Sequence, residues 1–454
     1  MLITRRKALG LLTTLPLLNV ARAQDSTETL KVSSRILDVK GKAAKVFAIT
    51  NSAGKPGLDM VFGQPFKSAL INTLSEETAI HWHGLTPPVE LDGVPDLPVP
   101  ALKAGESRFY EFPNTKAGTH WMHSHLGLQE QRLLAAPLIV RETAKPLFDE
   151  QDHVVMLHDF TFREPADILA ELKKNGSHQM AGMAMGSDIS YDAILANDRT
   201  LDDPEIVHVE QGGQIRLRII NGAAATNFWV DLGALQGELI AVDGNTVRPV
   251  KGSRFPLAIA QRADIRVKLP QAGAAYPVLF QSEGDALRGG IILATPKAAI
   301  AKLSDQGDPG AALDFSLEEK LRSVAKGNDE PPNNHQSITL TGGDGNYDWG
   351  FNGKPSMMHD VLFNMHQGDR VEVILQNLTA MAHPMHIHGH YFKVVALGQN
   401  RVDGAVRDTI LVPVGQSVTI QFDADNPGTW AFHCHHLYHQ NSGMMAAMAY
   451  VGAA

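Results

Sequence analysis

The sequence predicts an all-β protein built from three strand-rich stretches, and three observations predict it. Its 454 residues suit about three domains at ~150 residues each. Forty Gly and 25 Pro mark frequent turns, with few long Leu/Ala/Glu/Lys blocks to build helices. Short apolar or alternating runs recur between those turns. Apolar residues make up 44% and charged residues 20%, a soluble globular composition. No later stretch offers the ~18 consecutive apolar residues of a membrane span. A formal charge of −9 argues against a nucleic-acid or anionic-membrane partner.

The N-terminus opens with Thr4-Arg5-Arg6-Lys7, an apolar run over residues 8–20, and Ala21-Arg22-Ala23. Basic, apolar and small-residue segments in that order predict a signal peptide over residues 1–23. The paired arginines point to twin-arginine export and a periplasmic protein. Ala8 and Gly10 stand where that motif usually carries Phe and Lys. Exported proteins commonly pair their cysteines, yet the single Cys434 has no partner in the chain.

The first domain is expected over residues 30–145, with strands near 45–50 and 138–140. The second, 150–297, has strand candidates at 154–157, 206–209, 215–220, 265–269 and 278–281, and a helix at 166–174. Residues 214–219 alternate as a half-buried strand should, ahead of an Asn221-Gly222 turn. Residues 298–335 are rich in Ala, Lys, Asp, Asn and Pro and read as a linker. The third domain then covers 336–454.

An internal repeat relates the first and last domains. Gly118-Thr119 precedes His123-Ser124-His125, and at the same offset Gly428-Thr429 precedes His433-Cys434-His435. Upstream of each lies a His-x-His-Gly: His81-Trp82-His83-Gly84 and His386-Ile387-His388-Gly389. Ser124 thus stands in the place of Cys434. The middle domain has no His-x-His and reads as a structural spacer.

Ten of the 20 histidines fall in these clusters, with His383 and His439 completing them. A strand's side-chain period is two, so each His-x-His turns both imidazoles to one face. Four such pairs are hard to attribute to packing; they can hold several metal ions with two or three nitrogens each. Cys434, His439 and Met444 are spaced Cys-x4-His-x4-Met, and His383 stands upstream. Two imidazoles, a thiolate and a weak thioether form a blue-copper ligand set. Strand alternation turns Cys434 away from His433 and His435, so one tripeptide can join two metal sites.

With these motifs the chain resembles the multicopper oxidases, three-domain and laccase-like, with bacterial cuprous oxidases the nearest pattern. The resemblance implies three cupredoxin-like Greek-key β-barrels and four coppers: one type 1, one type 2 and two type 3. It implies type 1 ligands His383, Cys434 and His439 with Met444 axial. The type 2 ion would take His81 and His386. One type 3 ion would take His83, His123 and His435, and the other His125, His388 and His433. The cluster would straddle the first and third domains, and every ligand position is filled. The implied reaction takes single electrons from Cu(I), phenols or aromatic amines and reduces dioxygen to water. A monomer is expected. A periplasmic copper-storage protein without turnover is the alternative, although storage needs no His-Cys-His bridge.

Dioxygen reduction also consumes protons. Asp92, in Leu91-Asp92-Gly93, is placed like the family's acid near the type 2 ion. Where related cuprous oxidases often carry Glu after the blue-copper histidine, this chain has Gln440. Met180, Met183 and Met185, within residues 178–186, offer soft thioethers suited to Cu(I). Met381, two residues before His383, is a candidate lining of the electron-donor entrance. His390 and His436 adjoin ligands and are candidate outer supports.

Overall fold

The computed structural model describes residues 27–144, 148–175, 186–328, 330–343 and 345–452. The expected leader, and Met180, Met183 and Met185, lie outside these residues. No described helix is long and apolar enough to cross a membrane.

Each of the three stretches folds as two sheets enclosing its own apolar core. In the first, a four-stranded sheet carries Glu28–Val39, Lys42–Thr50, Phe66–Asn72 and Ser107–Phe112. A second holds Leu58–Val61, Ala135–Arg141, Gly118–Ser124 and Ile80–His81. Leu30, Val32, Phe66, Leu70, Trp82 and Leu138 fill the space between them. The middle stretch pairs a six-stranded with a five-stranded sheet, and the last a seven-stranded with a five-stranded one. In every stretch the opening long strand runs parallel to a later one. Glu28–Val39 lies beside Phe66–Asn72, Gln151–Phe160 beside Gln214–Asn221, and Asn334–Gly342 beside Arg370–Asn377. Parallel neighbours cannot be joined by a tight hairpin, so the chain crosses between sheets as a Greek key requires. The expected cupredoxin-like, three-domain all-β architecture is what the chain adopts.

Helix Pro165–Asn175 occupies the expected place, its apolar Ile168 and Leu172 buried in the last stretch's core. Strand Gln214–Asn221 shows the anticipated alternation only at its start. Ile215, Leu217 and Ile219 are buried, but so is Arg218 on the other face. Arg218 donates to the Asp152 carboxylate at 2.8 Å and to Thr119 Oγ1 at 3.0 Å. The opposite face is therefore spent on an ion pair within the stretch and a hydrogen bond to the first stretch. Described residues within 298–333 carry no strand or helix. Leu313, Leu317 and Leu321 are nevertheless buried, so this connection packs onto its neighbours.

Register makes the internal repeat physical. In the first stretch Ile80 pairs with Ser124 and His81 with His123. In the last, Met385 pairs with Cys434 and His386 with His433. The glycine closing each His-x-His-Gly has positive φ, +91° at Gly84 and +68° at Gly389, where other residues are strained. A Cβ at Gly84 would lie 2.5 Å from Arg262 Nη2, and one at Gly389 2.5 Å from the Trp430 ring.

Candidate metal centres

Two groups of buried ligand atoms stand back to back on strand Thr429–Cys434. Cys434 Sγ lies 3.6 Å from His383 Nδ1 and 3.9 Å from His439 Nδ1, and the two nitrogens are 3.3 Å apart. A trigonal first-row ion with bonds of about 2.0–2.3 Å separates its ligands by roughly 3.5–3.7 Å, so the three atoms fit one. His383 reaches from strand His383–Ile387 and His439 from the short helix Leu437–Gln440. Thr379 Oγ1, 2.7 Å from His383 Nε2, accepts that N–H and leaves Nδ1 bare. The His436 backbone N–H points at Sγ from 3.4 Å. Trp349 covers the His439 ring at 3.9 Å between centroids, and Met444 is fully buried in the same core. Burial pushes the Cys434 thiol well up, so loading a metal here expels a proton.

The other face carries eight histidines from two stretches. His81 Nδ1 donates to the Asp92 carbonyl at 3.1 Å and His386 Nδ1 to that of Asp408 at 2.8 Å. His123 and His433 donate Nδ1–H to the carbonyls of Ser124 and Cys434 at 3.1 and 3.0 Å. His388 Nδ1 donates to Asp92 Oδ2 at 2.7 Å. A neutral imidazole has one N–H, so all five present a bare Nε2. Those of His388 and His433 face each other at 3.0 Å, with His125 Nε2 at 3.3 Å from His433 Nε2. Nε2 of His81, His123 and His386 has no partner among the described residues. His83 is reversed, its Nε2 lying 3.1 Å from Asp408 Oδ1 and its Nδ1 unpartnered. Burial lowers the pKa of His83, His125, His386, His388 and His435 well below the imidazole range, and neighbouring histidines lower it further. Neutral lone pairs that converge in a dry interior repel one another until a cation lies between them. The donor set fits a group of metal ions.

Three acids border this cluster, and only Asp92 stood out in the sequence. Asp408 mirrors it from the last stretch. Each acid's residue gives its carbonyl to the first histidine of its own His-x-His-Gly and its carboxylate to the second histidine of the other. Asp408 lies 20 residues after His388 where Asp92 lies 9 after His83, so the internal repeat does not point to it by spacing. Glu130, in the 3₁₀ turn Gln129–Arg132, places Oε2 3.1 Å from His123 Nδ1 and Oε1 3.9 Å from His435 Nδ1. Burial raises its pKa well above the carboxylate range, and Asp159 adds to this. Gln440 faces elsewhere, its amide 3.6 Å from Met445 Sδ. His436 stacks on His439 at 3.7 Å between centroids, whereas His390 reaches His388 only through its carbonyl.

Sequence models of the multicopper oxidases match residues 31–145, 151–300 and 329–452. The chain belongs to the multicopper oxidase family. It is thus a copper-binding oxidoreductase that couples one-electron oxidation of a reducing substrate to reduction of dioxygen to water. The chain is 28% identical to multicopper oxidase MmcO of Mycobacterium tuberculosis over 94% of its length and 87% of that protein's. Copper resistance protein A of Escherichia coli is 26% identical, with 93% and 92% covered. Among solved structures, the multicopper oxidase of Pseudomonas thermotolerans superposes with a TM-score of 0.73 at 23% identity, covering 94% and 99%. Fet3p, a multicopper oxidase that functions in iron import, gives 0.80 at 19% identity, covering 93% and 90%. At those identities the structures speak for the fold.

Proposed function

We propose that the chain would hold four coppers, with His383, Cys434, His439 and Met444 holding type 1. His81 and His386 then bind type 2, and the trios His83/His123/His435 and His125/His388/His433 bind the type 3 pair. The observation that carries this reading is the convergence of unpartnered, buried imidazole nitrogens on one side of Cys434 and two Nδ1 atoms on the other. When bound, copper supplies one-electron exchange at the Cys434 site and four-electron reduction of dioxygen at the histidine cluster.

The protein's part is to hold, exclude and conduct. The backbone carbonyls of Asp92, Ser124, Asp408 and Cys434 set which nitrogen each imidazole presents. Burial keeps the imidazoles neutral, and neutral rings are the ligating form. Cys434 is peptide-bonded to His433 and His435, a covalent route from one site to the other. Asp92 Oδ1 makes no hydrogen bond with a described residue and lies 3.2 Å from His81 Nδ1, which sets a carboxylate at the edge of the cluster where proton-coupled chemistry needs an acid-base group.

The reducing substrate we propose is Cu(I) or a small phenol or aromatic amine. A cavity of about 390 Å³ opens beside His436 and is lined by Met381, Asp188, Tyr347, Glu283 and Asp314. Its carboxylates and the Met381 thioether suit a soft cation or an amine, and its size admits a single aromatic ring. Asp188 Oδ1 lies 3.3 Å from His436 Nε2 and Oδ2 lies 3.8 Å from His439 Nε2, so a donor bound there is one ring from the Cys434 site. Met180, Met183 and Met185 would add thioethers for Cu(I). The basic, apolar leader supports export by the twin-arginine route to the periplasm. Turnover on Cu(I) and on a phenol should be compared with and without residues 178–186. Loss confined to Cu(I) establishes cuprous oxidation as the selected activity. Copper-loaded protein that consumes no dioxygen with either donor refutes the oxidase assignment and leaves storage.

A further inference from the structure

Of the two mirror-related acids, only Asp408 is braced by an arginine, and that arginine comes from the middle stretch. Arg262 opens strand Arg262–Lys268 and its side chain is fully buried. Nη1 donates to Asp408 Oδ1 at 2.7 Å and Nη2 to Oδ2 at 2.5 Å, a bidentate pair. Nε donates to the Thr119 carbonyl of the first stretch at 3.1 Å, and Nη1 also to the Ala260 carbonyl. Asp408 Oδ1 accepts in turn from Thr409 Oγ1 at 2.9 Å and from His83 Nε2. Gly84, directly after His83, leaves the space the guanidinium occupies. Its counterpart Gly389 faces the Trp430 ring instead, and Asp92 has no arginine among its contacts with described residues.

We propose that Arg262 is a positioning residue for the cluster. It clamps the Asp408 carboxylate in the plane that receives His83 Nε2–H, so that His83, unlike His81, His123, His386, His388 and His433, presents Nδ1 inward. A bidentate guanidinium fixes the orientation of a carboxylate, which a point charge does not. The middle stretch supplies no ligand yet holds one ligand's tautomer, and it does so at the junction where all three stretches meet. The asymmetry also divides the two acids: Asp408 is locked in place, while Asp92 keeps an oxygen free. This inference rests on the assignment of His83 to the cluster.

The test uses copper-loaded protein dialysed against increasing chelator, with copper per chain and the blue absorption followed separately. Arg262→Gln should lose cluster copper at about 10- to 100-fold lower chelator than wild type, the usual effect of removing a ligand's outer partner. Its blue band should persist, because Cys434 and its two histidines lie on the far side. Arg262→Lys keeps the charge but not the fork and should fall between. Arg407→Gln is the control. Arg407, the residue before Asp408, joins the same buried network with its side chain donating to Asp243 at 2.8 Å and Glu318 at 2.6 Å, but among the described residues its guanidinium makes no hydrogen bond to an acid that faces the cluster. It should destabilise the chain without lowering chelator resistance. Cluster copper in Arg262→Gln as resistant as in wild type overturns the proposal, and so does equal copper loss in Arg407→Gln, which would make the arginine mere interdomain adhesion. If Arg262→Gln does not fold, Arg262→Lys decides: full resistance overturns the clamp, and selective loss of cluster copper supports it. Wild-type protein that binds no copper beyond the blue site would instead refute the cluster assignment itself.

Discussion

Replacing Thr379 with Val should weaken both the metal-free protein and its hold on the type 1 ion. Thr379 Oγ1 is a buried hub. It accepts from His383 Nε2–H at 2.7 Å and from the Met381 N–H at 3.2 Å. It donates within reach of Asn377 Oδ1 at 2.9 Å or the Met381 carbonyl at 3.0 Å. Valine keeps the shape and removes the oxygen, which strands two donors. A buried unsatisfied donor costs about 1–3 kcal/mol, so the metal-free variant should be destabilised by roughly 2–4 kcal/mol. Freed from its anchor, His383 no longer has Nδ1 held toward Cys434, and type 1 affinity should drop about 10- to 100-fold. Urea unfolding of the metal-free protein measures the first effect and chelator titration of the blue band the second. Thr379→Ser retains the hydroxyl and should recover most of both. A Thr379→Val protein as stable and as chelator-resistant as wild type would refute the argument that this hydroxyl fixes His383.

Cys434→Ser should abolish the blue band and substrate oxidation in a folded protein, because a hydroxyl is a hard, weak copper ligand; absorption spectroscopy and copper analysis check it. Met444→Leu should raise the type 1 potential, since hydrocarbon replaces a weak donor, at a packing cost below ~1.5 kcal/mol. Redox titration of the blue band reads it, and a potential that stayed or fell would remove Met444 from the axial position. Asp92→Asn should slow reoxidation of the reduced protein by dioxygen more than its reduction by substrate, as followed by return of blue colour after mixing with oxygen. Burial holds His433 and His390 down to about 4, below the ordinary imidazole value of 6.5. Between these values the unfolded chain binds more protons than the folded one, so stability falls as pH drops through this window and levels off below about 4. Each such ring contributes about 3 kcal/mol of this loss. Denaturant midpoints of the metal-free protein from pH 7 to 4.5 test it, and a flat profile would contradict it.

The ligands were legible in the sequence because their signal is local. The two-residue period of a strand and the repeat between Gly118–His125 and Gly428–His435 set imidazoles on one side and Cys434 on the other. Register repeats the arrangement in both stretches, pairing His81 with His123 and His386 with His433. Asp92 could be singled out because it is placed like the acid of the family that the chain resembles. Asp408, Glu130, Thr379 and Arg262 could not. As single residues they are an ordinary acid, hydroxyl or arginine, in no pattern that a period or spacing detects. The sequence by itself determined which side chains can bind metal, since that follows from their chemistry and the strand period. Only the tertiary structure decided which nitrogen each imidazole offers and which acid is clamped. Those choices depend on carbonyls, carboxylates and a guanidinium brought from other sheets into a buried interior, where a polar group needs a hydrogen-bond partner.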